Sequence, residues 1–234
     1  HVIALGAGYE WRAPQASTAF AAPEISNDFV DGLKNERIFS SELSYQFHNS
    51  WLHVNLNGYY SRLNHVTEWQ NFYFDDINSF SYVSLTGLRK AYYGVELAAR
   101  IKMSSMLDLK LLGSMGEGKN TNNAQVRYMN STKATYARET AYVKDMREAG
   151  TPLTALSAGL SFHNRGWFVD LNCNYYDRIY LSYSPSYRYA STLAYRQQVE
   201  HNVFDNEGNL REEAVAQTKG HGGFMVDGSV GRYI

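Results

Sequence analysis

Apolar and polar residues alternate one by one along much of this chain. Between residues 167 and 175 the odd positions carry aromatic rings, aliphatic groups or a cysteine, whereas the even positions include Asp170, Asn172 and Asn174. Alternation with a period of two is typical of a β-strand with one apolar and one polar face. The same pattern occupies residues 1–11, 39–48, 52–61, 93–102, 107–115, 156–162 and 224–234. The chain is therefore predicted to form about eight strands.

The connections between these segments alternate in length. Short turns are expected at residues 48–51, 103–106 and 163–166. Long connections are expected at roughly residues 12–35, 64–90, 117–152 and 184–222. This order predicts an up-and-down antiparallel sheet with all short turns at one end and all long loops at the other, which is the layout of outer-membrane β-barrels.

Aromatic residues at the strand ends favour the same interpretation. In a barrel, the outward face meets lipid, the inward face is polar, and Tyr and Trp lie at the two membrane interfaces. Phe47, Trp51, Phe162 and Trp167 are expected at the short-turn end. The aromatics expected at the long-loop end are Tyr9, Trp11, Tyr59, Tyr60, Tyr175 and Tyr176. The predicted location is the outer membrane of a Gram-negative cell.

A soluble antiparallel sandwich is the alternative fold, because its apolar faces would turn towards a protein core. It explains the alternation but neither the aromatic ends nor the sorting of loops. The outward positions in the middle of the strands carry no Lys or Arg, which would cost about 2–4 kcal/mol in lipid. Cys173 is expected to face outward as a small apolar residue.

Composition excludes several classes of function. The 234 residues carry a net charge of −1 and show no basic stripe, so no nucleic-acid partner is expected. A single cysteine excludes an intrachain disulfide framework. No catalytic signature is present. We therefore expect neither an enzyme nor a cofactor, and no metal site.

The long connections hold the candidate binding residues. Residues 64–90 combine aromatic side chains with Asp75 and Asp76, which either stack on a ligand or pack the loops together. Residues 117–152 are predicted to form an ordered lid. The segment DNEGN (205–209) is predicted to be a hairpin tip with Gly208 at positive φ.

Five stretches resemble the barrel of TonB-dependent outer-membrane receptors, in particular the Bacteroidetes type. They are LSYQFHNSWLHVNLNGYYSRL (43–63), YYGVELAARI (92–101), GTPLTALSAGLSF (150–162), GWFVDLNCNYYDRIYLSYSPSYR (166–188) and FMVDGSVGRYI (224–234). The resemblance implies an all-β barrel of about 22 strands with a plug in its lumen. It also implies active uptake of a scarce or bulky nutrient, such as a siderophore, cobalamin, a glycan or a peptide, energised by TonB.

The chain departs from that pattern because it shows no plug and only about eight strands. Residues 1–234 are therefore expected to form a partial barrel domain, an open curved sheet without the plug or the terminal strands. The implied partners are the plug domain of the same full-length chain, TonB through the missing N-terminal part, the nutrient and outer-membrane lipids.

Two sets of candidate residues follow from this interpretation. Substrate contact is predicted for loop residues Trp69, Tyr73, Arg127, Tyr128, Arg147, Arg178, Tyr180, Tyr187 and Arg188. The predicted lumen- or plug-facing residues are Glu42, Gln46, Asn55, Asn57, Glu96, Arg100, Asp170, Asn172 and Asn174.

The alternative function is that of a passive porin or a small closed eight-stranded barrel with a structural or adhesion role. Pairing of the first strand with the last would favour the small barrel, and an open sheet would favour the receptor.

Overall fold

The computed structural model describes residues 1–20, 27–74, 79–130 and 135–233, with side chains described outside 71–82 and 129–137. The strands are β1 (Val2–Arg12), β2 (Glu36–His48), β3 (Leu52–Phe74), β4 (Ser79–Lys102), β5 (Leu107–Asn120), β6 (Ala124–Asn130), β7 (Thr135–Ala141), β8 (Pro152–Asn164), β9 (Trp167–Ile179) and β10 (Gly223–Arg232). One α-helix, α1, spans Ala190–Glu200. Short 3-10 helices lie at Ala16–Thr18, Pro185–Arg188 and Glu212–Val215.

All strands belong to one antiparallel sheet. Its main path runs β1-β2-β3-β4-β5-β8-β9-β10, and the β6–β7 hairpin pairs beside β4. The predicted all-β, up-and-down architecture is confirmed, and the eight predicted strands are the eight of the main path. The predicted strand number omits β6 and β7, which lie inside the connection expected at 117–152.

The register keeps the two faces separate across the whole sheet. Leu56 pairs with Tyr45 on one side and with Leu97 on the other. Likewise, Leu160 pairs with Leu171. Each of the seven pairings along the main path joins apolar-face positions to apolar-face positions. A slip of one residue at any pairing would exchange the faces, so the register is strongly specified.

The apolar face is open to the surroundings rather than covered. Leu5 is 78% exposed and Val226 is 65% exposed. Leu43, Leu56, Leu97, Leu160 and Leu171 are exposed as well. No second sheet or helical layer packs on this face in the described ranges, which rules out the sandwich. A sheet face of this size and apolarity is expected to meet lipid.

Aromatic side chains bound this face at both ends. In β2 the outward residues run from Phe39 to Phe47, and in β9 they run from Trp167 to Tyr175, nine residues in each case. That length fits the roughly 9–11 residues of a membrane-crossing strand. The long-loop belt is joined across strands by ring contacts, with centroids 6.4 Å apart for Phe39–Tyr60 and 4.7 Å apart for Tyr175–Phe224.

Two tyrosines that the sequence places in the outer belt lie on the inward face instead. Tyr59 pairs with Glu42 and Gly94, and Tyr176 pairs with Ala155. A Cβ atom on Gly116 would lie 2.6 Å from the Tyr59 hydroxyl, so glycine leaves room for that ring across the sheet. Adjacent tyrosines point to opposite faces of the sheet. Of these two tyrosine pairs, Tyr60 and Tyr175 therefore belong to the belt, and Tyr59 and Tyr176 do not.

The sheet is open at both edges. Within the described ranges, β1 pairs only with β2 and β10 pairs only with β9. The predicted open sheet is confirmed, and the first strand does not close onto the last.

The connection predicted at 64–90 is mostly strand. β3 and β4 continue past the membrane belt as one hairpin of 23 and 24 residues. Register shifts between Asn64 and Val66 and between Val66 and Glu68 interrupt the alternation there, with His65 at φ 59°. Because a bulge shifts the side-chain parity, the period-two pattern ends at the bulge although the strand continues.

The other long connections also contain ordered elements. Residues 117–152 include the β6–β7 hairpin, and residues 184–222 include α1. The predicted hairpin tip at 205–209 is confirmed by a bridge between Phe204 and Leu210 and by Gly208 at φ 83°. In the described part of the chain, no helix is long and apolar enough to cross a membrane.

Replacing Leu56 with arginine is expected to lower the free energy of unfolding by about 2–4 kcal/mol, because the charge enters lipid at mid-depth. Asn55→Arg is the matched control, since Asn55 is exposed on the inward face at the same depth. We expect it to change stability by less than about 0.5 kcal/mol. Urea unfolding in lipid vesicles measures both, and equal destabilisation would contradict the assignment of the two faces.

Candidate functional site

The long-loop end of the sheet carries a compact apolar core. Its residues come from the β3–β4 hairpin, from β6 and β7, and from the segments that follow β7 and precede α1. They are Val66, Val83, Leu85, Leu88, Ala124, Val126, Ala141, Val143, Met146 and Tyr189. We call the region that this core holds together, residues 63–70, 83–90, 119–128, 138–149 and 180–222, the loop layer.

A charged cluster joins the loop layer to the inward face of the barrel. Lys90 Nζ lies 2.7 Å from Glu148 Oε1 and is also paired with Glu68. The Tyr92 hydroxyl donates to the same Glu148 oxygen at 2.6 Å. Three separate chain segments therefore meet at one ammonium group.

The environment of this cluster shifts two pKa values. Burial alone would lower the pKa of Lys90, but the charges and hydrogen bonds of Glu68 and Glu148 outweigh it and raise that pKa. Burial likewise opposes ionisation of Glu148, yet its hydrogen bonds from Lys90 and Tyr92 hold its pKa below the ordinary value. Both groups are charged at neutral pH.

A small cavity opens beside the charged cluster. It has a volume of about 150 Å³, and its lining includes Glu68, Lys90, Arg147, Glu148 and Tyr183. This lining offers both donors and acceptors, which suits a polar group of a ligand rather than an apolar one.

Two predicted substrate residues meet at Glu117, and a third lies against one of them. Arg147 Nε donates to Glu117 Oε1 at 2.7 Å, and Arg178 Nη2 donates to Glu117 Oε2 at 2.8 Å. The Arg147 guanidinium lies 4.8 Å from the centre of the Tyr180 ring. Arg178 also donates to the Gly116 carbonyl. These contacts fasten the segments after β7 and β9 to β5, and substrate contact by Arg147, Arg178 and Tyr180 stays a prediction.

Arg188 is buried and fully engaged with backbone. Its guanidinium donates to the carbonyl oxygens of Ser184, Val215 and Ala216 at 3.0–3.2 Å. It therefore closes the 184–216 segment around α1. Neighbouring Tyr187 is 66% exposed, so its ring is open to a ligand from outside.

Tyr128 belongs to the interior of the loop layer. Its ring stacks on Tyr189 with centroids 5.0 Å apart, and its hydroxyl donates to Glu139 Oε1 at 2.6 Å. Burial and this hydrogen bond raise the pKa of Tyr128 to about 12. Glu139 also accepts hydrogen bonds from the backbone N–H and the hydroxyl of Ser191. The Glu139 carboxylate thereby caps the first turn of α1.

The remaining predicted contacts lie on the β3–β4 and β6 side. Arg127 donates to the Phe29 carbonyl at 2.5 Å and shares Asp31 with Arg138 beside a cavity of about 390 Å³. Trp69 lines a groove of about 430 Å³ together with Arg12 and Glu36. The side chain of Tyr73 and the residues Asp75 and Asp76 lie outside the described part of the chain.

The predicted lumen-facing residues share one face of the sheet, opposite the apolar face. They are Glu42, Gln46, Asn55, Asn57, Glu96, Arg100, Asp170, Asn172 and Asn174. Their mutual position was predictable from alternation alone, because the register preserves it.

Several of these residues already have partners within the sheet. Asn172 and Asn174 donate to Asp227 at 2.9 and 3.0 Å. Arg100 donates to Asp108 at 2.7 Å, and Ser161 donates to Asp170. Ser44 donates to Glu42 at 3.0 Å. Glu42, Gln46, Asn55 and Glu96 are exposed. The face is thus polar, ordered and accessible.

Replacing Lys90 with methionine leaves Glu68 and Glu148 facing each other without a cation. We expect the local opening free energy around residues 143–148 to fall by about 1–3 kcal/mol, as for a buried acceptor that loses its partner. Hydrogen exchange with mass spectrometry measures it. Lys144→Met is the control, because Lys144 is exposed in the same segment. Equal loss of protection in both variants would show that the charged cluster does not hold residues 143–148 in place.

Acid is expected to open the same contact. A carboxyl whose pKa is depressed by folding contributes stability above its unfolded value, and this contribution is lost as pH falls through the folded pKa. Protection near Glu148 should therefore be constant from pH 6 to pH 9 and should fall below about pH 4. Exchange rates corrected for intrinsic pH dependence test this, and Glu148→Gln should flatten the profile. A loss of protection already at pH 6 would contradict the assignment.

Known proteins resemble this chain in structure but not in sequence. Comparison with protein families and with curated proteins gives no match. Among solved structures, the copper transporter OprC aligns with a TM-score of 0.55 at 16% identity, covering 75% of this chain and 24% of its own. The chain thus spans about a quarter of the length of OprC.

Two further structures align less well. They are the P. putida toluene transporter TodX, with a TM-score of 0.33 at 9% identity, and Ail, the attachment invasion locus protein of Yersinia pestis, with a TM-score of 0.19 at 17% identity. They cover 75% and 74% of this chain, and the aligned parts are 50% of TodX and 84% of Ail. The OprC alignment carries the comparison: the chain has the fold of an outer-membrane β-barrel, which agrees with the location predicted from its sequence.

Proposed function

We propose that this chain is part of the barrel of an outer-membrane receptor for active transport. The receptor captures a scarce or bulky nutrient, such as a siderophore, cobalamin, a glycan or a peptide, at the loop layer. It then passes the nutrient through the lumen with energy supplied by TonB. The work is capture and passage, and no bond chemistry is assigned to this chain.

The open sheet is the observation that carries the proposal. β1 and β10 each have an unpaired edge in the described ranges, and unpaired backbone groups are not tolerated in lipid. Further strands must therefore pair with both edges, and the resulting barrel has more than eight strands. The proposed receptor barrel has about 22 strands, and a barrel of about 16 strands or more encloses a lumen that its own side chains do not fill.

The polar face supports a plug as the partner inside that lumen. Exposed Glu42, Gln46, Asn55 and Glu96 supply carboxylate and amide groups across three adjacent strands. A soluble domain can use these groups as hydrogen-bond partners, and we assign that role to a plug domain of the same full-length chain. TonB would act on the part of the protein that precedes the barrel.

The loop layer supports capture from outside. It is ordered by its own core, and its exposed aromatics include Tyr187 and Tyr195. Rigid aromatic side chains on an ordered surface provide contact area at low entropic cost. The groove lined by Trp69, Arg12 and Glu36 adds both charge signs next to an aromatic ring.

A passive porin is the second candidate, because an open sheet with a polar face fits any large barrel. The two functions differ in whether the lumen is blocked at rest and in whether uptake needs energy. A closed eight-stranded barrel is disfavoured, since β1 and β10 do not pair.

The two candidates are separated by conductance and by energy dependence. For the intact protein in a planar bilayer with KCl, we expect almost no resting current, because a plug fills the lumen. Urea, which unfolds a soluble plug before a fully hydrogen-bonded barrel, should open a large reversible current. In cells, uptake of radiolabelled cobalamin, ferric hydroxamate or oligosaccharide that depends on this protein should stop when an uncoupler is added. A steady large KCl conductance without urea would establish the porin instead.

A further inference from the structure

Three arginines occupy adjacent positions on the outward face just above the aromatic belt. Arg37 of β2 pairs with Asn64 of β3, and Asn64 pairs with Arg89 of β4. Arg62 lies two residues before Asn64 on the same face. Arg62 is the diagonal neighbour of the other two arginines, with Cα atoms about 7–8 Å away. Arg37 and Arg89 are two strands apart, about 10 Å. Because arginine side chains are long, the three guanidinium groups can converge on one headgroup-sized area. We call this set the arginine triad.

The arginine triad is free of anionic partners. All three residues are exposed. Among the described residues, no hydrogen bond or ion pair involves their side chains, and no Asp or Glu shares the outward face of β2 to β4 between Arg37 and Phe47, Leu52 and Asn64, or Arg89 and Ile101. Three positive charges therefore lack an anionic partner on residues whose Cα atoms are about 7–10 Å apart.

Other charged residues at this level of the sheet are paired. Lys119 Nζ lies 2.7 Å from Asp145, Glu117 accepts from Arg147 and Arg178, and Lys219 lies 3.0 Å from Asp177. Compared with these paired residues, the β2–β4 side of the sheet carries positive charge that has no anionic partner among the described residues. Repulsion among the arginines is a cost unless an anion from outside joins them.

The position of the arginine triad relative to lipid is set by the belt. Arg62 pairs with Phe39 at the outer edge of the belt and lies about 7 Å beyond Tyr60, whereas Arg37 lies about 7 Å beyond Phe39. Belt aromatics lie at headgroup level. The guanidinium groups therefore reach the outer part of the headgroup layer while their strand continues into the apolar band.

We propose that Arg37, Arg62 and Arg89 bind the phosphate groups of an anionic lipid in the outer leaflet. The planar guanidinium fork matches phosphate oxygens in a bidentate way, and arginine is weakly hydrated, so it suits a phosphate at an interface. Asn64, between Arg37 and Arg89, adds an amide for the bridging oxygens. Trp11, 64% exposed beside Arg37, offers its ring to the rest of the headgroup or to the acyl chains.

A lipid is the occupant that the geometry favours over a soluble anion. The site continues directly into the lipid-facing surface through Phe39, Tyr60 and Tyr93, so one molecule can place its phosphate on the arginines and its acyl chains on the apolar face. This assignment rests on the fold and the register alone. It holds whether the barrel is a receptor or a porin.

Native mass spectrometry of the intact protein in detergent tests the site. The protein is titrated with phosphatidic acid and, separately, with diacylglycerol of the same chain length, which lacks the phosphate. We expect phosphatidic acid to bind at least ten-fold more tightly. Each Arg→Gln change should weaken its binding about five-fold, as for one basic residue near an anionic surface, and the triple variant Arg37→Gln/Arg62→Gln/Arg89→Gln about a hundred-fold.

The matched control removes three charges at the other end of the sheet. Lys102→Gln/Lys110→Gln/Arg165→Gln changes exposed residues near the short turns and should leave phosphatidic acid binding unchanged. Resistance to urea in vesicles confirms that each variant is folded. A triple arginine→lysine variant should keep part of the affinity but lose the bidentate contribution.

Two results would overturn the proposal. One is equal loss of phosphatidic acid binding in the control and in the arginine variant, which would show a general charge effect. The other is displacement of phosphatidic acid by micromolar inorganic phosphate, which would identify a site for a soluble anion.

Discussion

The need to pair every backbone N–H and C=O group in lipid is the constraint on which this structure depends. Within the membrane the sheet has no protein core, and its apolar side chains gain nothing by contacting one another rather than lipid. The arrangement of the strands must therefore be specified by the backbone hydrogen bonds between them. Those bonds form in one register only, because a slip of one residue would exchange the outward and inward side chains. The pairing of Leu56 with Tyr45 and Leu97 shows this rule across three strands.

The loop end is held together by different interactions. There, water is the surrounding solvent, so a buried cluster such as Leu85, Leu88 and Val126 is stabilised in the ordinary hydrophobic way. Buried polar contacts add direction, as in Lys90 with Glu68 and Glu148 and in Arg188 with three carbonyl groups. The chain thus combines a membrane-spanning sheet, which is ordered by its hydrogen bonds, with a water-exposed loop layer, which is stabilised by an apolar core.

The difference between these two regions decides what could be predicted from the sequence. The strands, their two faces, the short turns and the shared polar face of the predicted lumen-facing residues were predictable, because each depends on residues two apart. The extension of β3 past His65 was not, since a bulge changes parity at a point that no local pattern marks. Lys90 and Glu148 are 58 residues apart, and their contact exists only after three segments have folded. Substrate contact by Arg188 is predicted from its place in a long connection, and that position does not reveal the carbonyl partners at Val215 and Ala216, 27 and 28 residues away.

The continuous β3–β4 hairpin has a mechanical consequence. A strand of 23 residues measures roughly 75 Å, more than twice the thickness of the apolar band. The same antiparallel ladder therefore continues from the part anchored in lipid into the part that stands in the medium, and it shifts register at two places beside His65. A β-bulge bends a strand and increases its twist locally, so the register shifts beside His65 are where the outer part of this hairpin changes direction relative to the membrane-crossing part.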